Sequence, residues 1–142
     1  MDISRTALVP FTPDQMYRLV EDVNAYPEFL SWCTGAEVLE QDDSTQTARL
    51  DIAAAGIRKG FTTRNRLVPG ERLDMSLVDG PFRSLNGAWT FEPLGNDGCK
   101  VTLSMSFETL GLFGGAFGRG FAHIADRLVA EFTKRAEAVY RP

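Results

Sequence analysis

The chain holds one histidine and two cysteines in 142 residues, and that scarcity removes much of the familiar chemistry. His123 has no partner at a spacing that builds a catalytic triad or a zinc site, so it reads as a surface or capping residue. Cys33 and Cys99 form no metal-ligand spacing and read as free, packed thiols. No apolar run approaches the roughly 20 residues that span a bilayer. Met1-Asp2-Ile3-Ser4-Arg5 carries neither a basic leader nor an apolar core, so no secretory signal is expected and the cytoplasm is the expected compartment. No carboxylate pair stands out, and Glu108 and Asp22 fall at element ends as structural groups. A net charge of −4 argues against a generic nucleic-acid coat and against DNA as a partner. With 44% apolar and 24% charged residues, and no repeat or linker, residues 1–142 read as one domain.

What the chain does contain is a change of period. From Ala36 to Phe107 the apolar residues alternate between turn signals at Asp42-Asp43-Ser44, Ala55-Gly56, Pro69-Gly70, Asp79-Gly80-Pro81 and Gly95-Asn96-Asp97-Gly98. These bound strands at 36–41, 46–54, 57–68, 71–78, 83–94 and 100–107, with a first strand over Ile3 to Val9. Thr12-Pro13-Asp14-Gln15 predicts a capped helix start with Met16, Leu19, Val20 and Val23 on its buried face. Asn24-Ala25-Tyr26 ends that helix, and Pro27 opens a second short one carrying Phe29, Leu30 and Trp32. After the strands comes a long amphipathic stripe of Phe121, Ile124, Ala125, Leu128, Val129, Phe132, Ala136, Val139 and Tyr140. A single helix after a run of antiparallel strands has one large apolar surface to lie on, the concave face of the sheet. The architecture is therefore α+β: a curved seven-stranded sheet around a C-terminal helix, with room for a cavity between them.

Candidate cavity residues follow from phase. Leu85, Trp89 and Phe91 share a face with Gly87, where a missing side chain leaves volume, a bend in the sheet, or both. Ala48, Leu50, Ile52 and Ala54 are small for a packed core. Phe61, Thr63, Asn65 and Leu67 form one phase of their strand. Either Thr63 and Asn65 point inward and need partners, for which a ligand carbonyl would serve, or they face water or nearby backbone. The aromatic set Tyr26, Phe29, Trp32, Trp89, Phe91 and Phe132 reads residue by residue as core. Gly111 to Gly120 lacks the lysine and hydroxyl residue of a phosphate loop. It reads either as an apolar lip, with Phe113 and Phe117 as gating or membrane-touching side chains, or as a loose connector. Five cations, Arg58, Lys59, Arg64, Arg66 and Arg72, depart from the acidic whole. They form either a solvated sheet face or a contact for RNA phosphates or anionic lipid head groups.

Several stretches together resemble a known family. They are Ser4-Arg5-Thr6-Ala7-Leu8-Val9-Pro10, Gln15-Met16-Tyr17, Asp22-Val23, Tyr26-Pro27-Glu28-Phe29-Leu30 and Cys33-Thr34-Gly35. Further on are Ala55-Gly56-Ile57, Phe61-Thr62-Thr63-Arg64-Asn65, Leu77-Val78-Asp79-Gly80-Pro81-Phe82, Gly87-Ala88-Trp89 with Phe91, and Ala116-Phe117-Gly118-Arg119. The last are Phe132-Thr133-Lys134-Arg135-Ala136 and Val139-Tyr140. Over nearly its whole length the chain resembles the RatA and coenzyme-Q-binding family of the START-like (helix-grip, polyketide cyclase/dehydrase, Bet v1-like) superfamily, its bacterial RatA branch above all.

The resemblance implies two activities and supplies no catalytic residue to carry over. One is non-enzymatic binding of an apolar molecule, a ubiquinone-type lipid, in support of respiration. Its expected contacts are Phe29, Trp32, Phe61, Thr63, Asn65, Met75, Trp89, Phe91, Leu103, Met105, Phe121, Ile124, Ala125, Leu128 and Phe132. The other is that of a toxin which binds the large ribosomal subunit and blocks its joining with the small one, with the five cations as contact face. Peripheral contact with the inner membrane accompanies the lipid reading. No metal and no resident cofactor beyond the lipid itself is expected. A cyclase or dehydratase would need an acid or base in the cavity, and the sequence names none.

Overall fold

The computed structural model describes residues 1–54, 56–110 and 114–141. In chain order the elements are β1 (Asp2–Val9), α1 (Pro13–Glu21), a 3-10 helix (Val23–Glu28), β2 (Cys33–Gln41), β3 (Thr45–Ala54), β4 (Ile57–Val68), β5 (Arg72–Asp79), β6 (Phe82–Leu94), β7 (Gly98–Thr109) and α2 (Gly114–Tyr140). The strands form one antiparallel sheet in the order β1-β7-β6-β5-β4-β3-β2. Each neighbour from β2 to β7 is reached by a hairpin, and β1 closes beside β7. Gly70 (φ 74°) and Gly95 (φ 64°) supply the left-handed backbone that two of these turns need. Register shifts in β2, in β5 at Val78 and in β6 at Arg83 insert unpaired residues. Such bulges increase local twist and bend the sheet around the helix.

The start of α1 is fixed by a reciprocal cap. Gln15 N donates to Thr12 Oγ1 at 3.1 Å, and Thr12 N donates to Gln15 Oε1 at 2.9 Å. Removing such a cap costs about 1 kcal/mol. The following helix lies earlier than the sequence predicts. The 3-10 helix takes in Asn24, Ala25, Tyr26 and Pro27, whereas Phe29, Leu30 and Trp32 come after it. Burial is the reason: Val23 and Tyr26 are drawn into the core, and Tyr26 Oη donates to the Val20 carbonyl at 2.5 Å.

α2 lies across the concave face with Phe117, Phe121, Ile124, Ala125, Leu128, Val129, Phe132 and Ala136 buried. Its start corrects the reading of the glycine-rich stretch. Residues 114–120 are helical, and Phe117 is 1% exposed, packed on Phe82 at 5.7 Å between ring centroids. Phe117 is thus neither a lip nor a membrane-touching side chain; burying its ring together with that of Phe121 offsets the roughly 1 kcal/mol that each helical glycine costs. Phe113 lies outside the described residues. Val139 is 43% exposed and departs from the apolar stripe, whereas Tyr140, the last residue of α2, packs on Phe11 at 5.8 Å between ring centroids and donates its hydroxyl to the Gln15 carbonyl at 2.9 Å. Among the described residues no helix is long and apolar enough to cross a membrane.

Two aromatic clusters set the helix on the sheet. Toward its N-terminus Phe121 packs edge-on against Phe82 and Phe107, both at 4.8 Å, and against Phe61 at 6.0 Å. Eleven residues further on, Phe132 packs against Trp89 and Phe29 at 5.2 Å and Tyr26 at 5.4 Å. Between these two pillars the helix presents Ile124, Ala125 and Leu128, which are smaller. That difference in side-chain volume is where the space lies.

Candidate functional site: a cavity between sheet and helix

The cavity holds about 60 Å³ of open space between α2 and the middle of the sheet. Its walls are Val23, Tyr26, Trp32, Ala48, Leu50, Phe61, Thr63, Asn65, Leu73, Met75, Leu85, Trp89, Met105, Phe121, Ile124, Leu128 and Phe132. Eleven of the residues expected from the sequence are therefore brought together: Trp32, Phe61, Thr63, Asn65, Met75, Trp89, Met105, Phe121, Ile124, Leu128 and Phe132. Four are not. Leu103 and Ala125 are fully buried and do not line the space. Phe91 lies further along β6, under α1, edge-on to Tyr17 at 5.9 Å. Phe29 is half-buried behind Phe132, with the Arg135 guanidinium 4.8 Å above its ring.

Thr63 and Asn65 face inward, and their partner is part of the protein. Thr63 Oγ1 donates to Asn65 Oδ1 at 2.9 Å, and Asn65 Nδ2 donates to Gln46 Oε1 at 2.8 Å. Gln46 Nε2 donates to the Glu21 carbonyl at 2.9 Å and to Gln41 Oε1 at 3.1 Å. Gln46 is fully buried, although the sequence analysis does not place it at the site. A signal for it existed. Folding strands 46–54 and 57–68 about the Ala55-Gly56 turn sets Gln46 opposite Asn65, as the register of β3 on β4 does. No buried side-chain nitrogen or oxygen among the described residues lacks a partner.

The volume missing at Gly87 is also filled from within. A side chain there would meet the Ser104 carbonyl at 2.9 Å and the Met75 Cε at 3.2 Å. Met75 and Met105, opposite Gly87 on the two flanking strands, take up the space with flexible side chains.

Chemically the cavity is quiet. Among the described residues Tyr26 is the only titratable group on its wall, and burial raises its phenol well above the usual tyrosine range. Burial likewise pushes the Cys33 and Cys99 thiols up to about 11, which leaves both protonated and unreactive near neutral pH. His123 is exposed on α2. It lines a shallow outer groove of about 210 Å³ with Ser31, Ala53, Gly120, Arg127 and Glu131. Trp32 and Ile124 belong to both groove and cavity and form the wall between them, and Trp32 Nε1 donates to Glu131 Oε1 at 3.2 Å.

The structure divides the basic cluster. Arg58, Arg64 and Arg66 are exposed in the outward phase of β4, without an ion-pair partner among the described residues. Arg72 is held by Asp74 at 2.6 Å, and Lys59 stands in the opposite, inward phase, half-buried. The five cations are thus not one face, because alternation along the strand separates residues 58 and 59.

Comparison with known proteins gives a consistent family. The sequence profile described as "Polyketide cyclase / dehydrase and lipid transport" matches residues 9–133. The chain is 49% identical over 139 residues to the ribosome association toxin RatA of Escherichia coli K12, covering 97% of this chain and 88% of that one. It is 26% identical over 145 residues to the mitochondrial coenzyme Q-binding protein COQ10 homolog B of Xenopus laevis, covering 99% of this chain and 59% of that one. Among solved structures, the Zhui aromatase/cyclase of Streptomyces sp. R1128 superposes with a TM-score of 0.88 at 18% identity, covering 99% and 96% of the two chains.

Proposed function

Since the chain belongs to the polyketide cyclase/dehydrase and lipid-transport family, within its RatA branch, we propose that it binds a long apolar molecule of the ubiquinone type without transforming it. The observation that carries this reading is the wall of the cavity: apolar side chains from sheet and helix, one hydroxyl–amide pair, and no acid or base near neutral pH. A cyclase or dehydratase needs such a group at the reacting atoms. The distant relative named as a coenzyme Q-binding protein fits the same ligand class.

The open space is far below the roughly 300–1,000 Å³ of an occupied ligand pocket. Binding therefore requires Met75, Met105, Ile124 and Leu128 to move aside, and Trp32, which lines both groove and cavity, is the natural gate between them. Each Å² of tail buried gains about 25 cal/mol, less the cost of that ordering. Native mass spectrometry on protein from its own host, with organic extraction of what co-purifies, tests the reading. A stoichiometric isoprenoid quinone is expected. A chain that stays empty after incubation with quinones would sink it, and the cavity would then be only loose core.

A second reading has its own support. Relatives of nearly half-identical sequence along 97% of the chain are named ribosome association toxins. Arg58, Arg64 and Arg66 project from the outward face of β4 without an ion-pair partner among the described residues. This reading gives the chain a place on the large ribosomal subunit, with binding that weakens steeply as salt rises. Co-sedimentation with isolated large subunits across a salt series tests it; binding indifferent to salt would reject the arginine surface.

A further inference from the structure

The buried relay beside the cavity has a direction. Its fixed end is the main-chain carbonyl of Glu21, the last residue of α1, which can only accept. Gln46 must turn its Nε2 toward that carbonyl, and it uses its other N–H on Gln41 Oε1. Flipping the amide would set carbonyl against carbonyl. With Nε2 so held, Oε1 faces Asn65 and takes an Nδ2 proton. Asn65 Oδ1 is then left facing Thr63, which commits its single proton to it. Every orientation in the chain follows from the helix end.

At the cavity wall this leaves Thr63 Oγ1 with lone pairs and no free proton, beside Asn65 with one further N–H. We propose that this acceptor–donor pair makes the cavity selective for a hydroxyl-bearing head group, a phenol or quinol, over the corresponding carbonyl. The inference rests on the reading of the cavity as an apolar ligand site. A hydroxyl donates to Thr63 and accepts from Asn65. A quinone oxygen accepts from Asn65 but meets Thr63 lone pair to lone pair. Turning the Thr63 proton toward it would strip Asn65 Oδ1 of its buried donor. Gln46 does not line the cavity, so it acts as a positioning residue: it sets the polarity of Thr63 from behind.

Anaerobic titration calorimetry with decylubiquinol and decylubiquinone, on the unaltered chain and on Gln46→Met, tests this. The unaltered chain is expected to bind the quinol about tenfold more tightly, a size set by one hydrogen bond gained against one left unmade. In Gln46→Met, Asn65 is free to flip and Thr63 to donate, so the ratio should fall to about one with both ligands still bound. Equal affinities in the unaltered chain would overturn the selectivity while leaving the apolar site standing. Quinol preference undiminished by Gln46→Met would overturn the role of the relay. If neither ligand binds, the apolar-site reading falls, and the inference with it. The comparison on the unaltered chain decides even if Gln46→Met does not fold.

Discussion

The two faces of β4 differ in the kind of partner each would suit. Inward, Phe61, Thr63, Asn65 and Leu67 are buried against α2 and β3; outward, Arg58, Arg64 and Arg66 stand in solvent. The residues are interleaved in sequence yet share no side-chain environment, because successive residues of a strand point to opposite sides. The lesson is that one twelve-residue strand can serve two unrelated kinds of partner, provided each is read by one phase only. It follows that either face can be edited without touching the other.

The largest effect is expected from the outward face. Arg64→Glu combined with Arg66→Glu should weaken binding to large ribosomal subunits at least ~100-fold at moderate salt, by turning phosphate attraction into repulsion. Quinone binding by the same variant should be unchanged in calorimetry. Inward, Leu128→Trp places an indole in the cavity and should lower lipid affinity about 100-fold, at a folding cost of roughly 1–3 kcal/mol. Sedimentation with ribosomal subunits should not notice it. If either variant impairs both activities, the two faces are not independent and the comparison fails.

Smaller effects sharpen the contrast. Gln46→Leu strands the Asn65 amide and the Glu21 carbonyl, and urea unfolding should show a loss of roughly 1–3 kcal/mol. Arg64→Leu on the other face should change stability by less than about 0.5 kcal/mol, as exposed substitutions do. A further signal is in pH. The Cys33 and Cys99 thiols have folded-state values raised above the unfolded one near 9, so their contribution is fully present below pH 9 and declines as pH climbs through about 11. Thermal unfolding between pH 8 and 10 should show the start of that decline, and Cys33→Ala with Cys99→Ala should reduce it there, while the raised phenols of Tyr17, Tyr26 and Tyr140 keep a decline above pH 10.

Much of this arrangement was legible in the chain. Alternation located all seven strands to within a few residues, and the helical period of Phe121 to Ala136 located the buried face of α2. What failed did so for definable reasons. Glycines at 114, 115, 118 and 120 look like loop, and the tertiary burial of Phe117 and Phe121 favours helix there. Phase distinguishes inward from outward but not core from cavity, so Phe91, Leu103 and Ala125 were grouped with residues that do line the space. Position along the strand decides that, and it depends on where α1 and α2 lie. Gln46 was missed because a lone polar residue in an inward phase gains meaning only when its cross-strand neighbour is known.

The chain has two tryptophans, and both stand on the cavity wall. Trp32 is half-buried at the groove and Trp89 is 2% exposed beneath Phe132. Intrinsic fluorescence is therefore a probe of this one place, supplied without labelling. A quinone entering the cavity would quench both indoles at close range, whereas a partner seated on the arginines of β4 would leave the emission as it was. Dimming, or its absence, would thus distinguish the two proposed modes of binding in a single unlabelled sample.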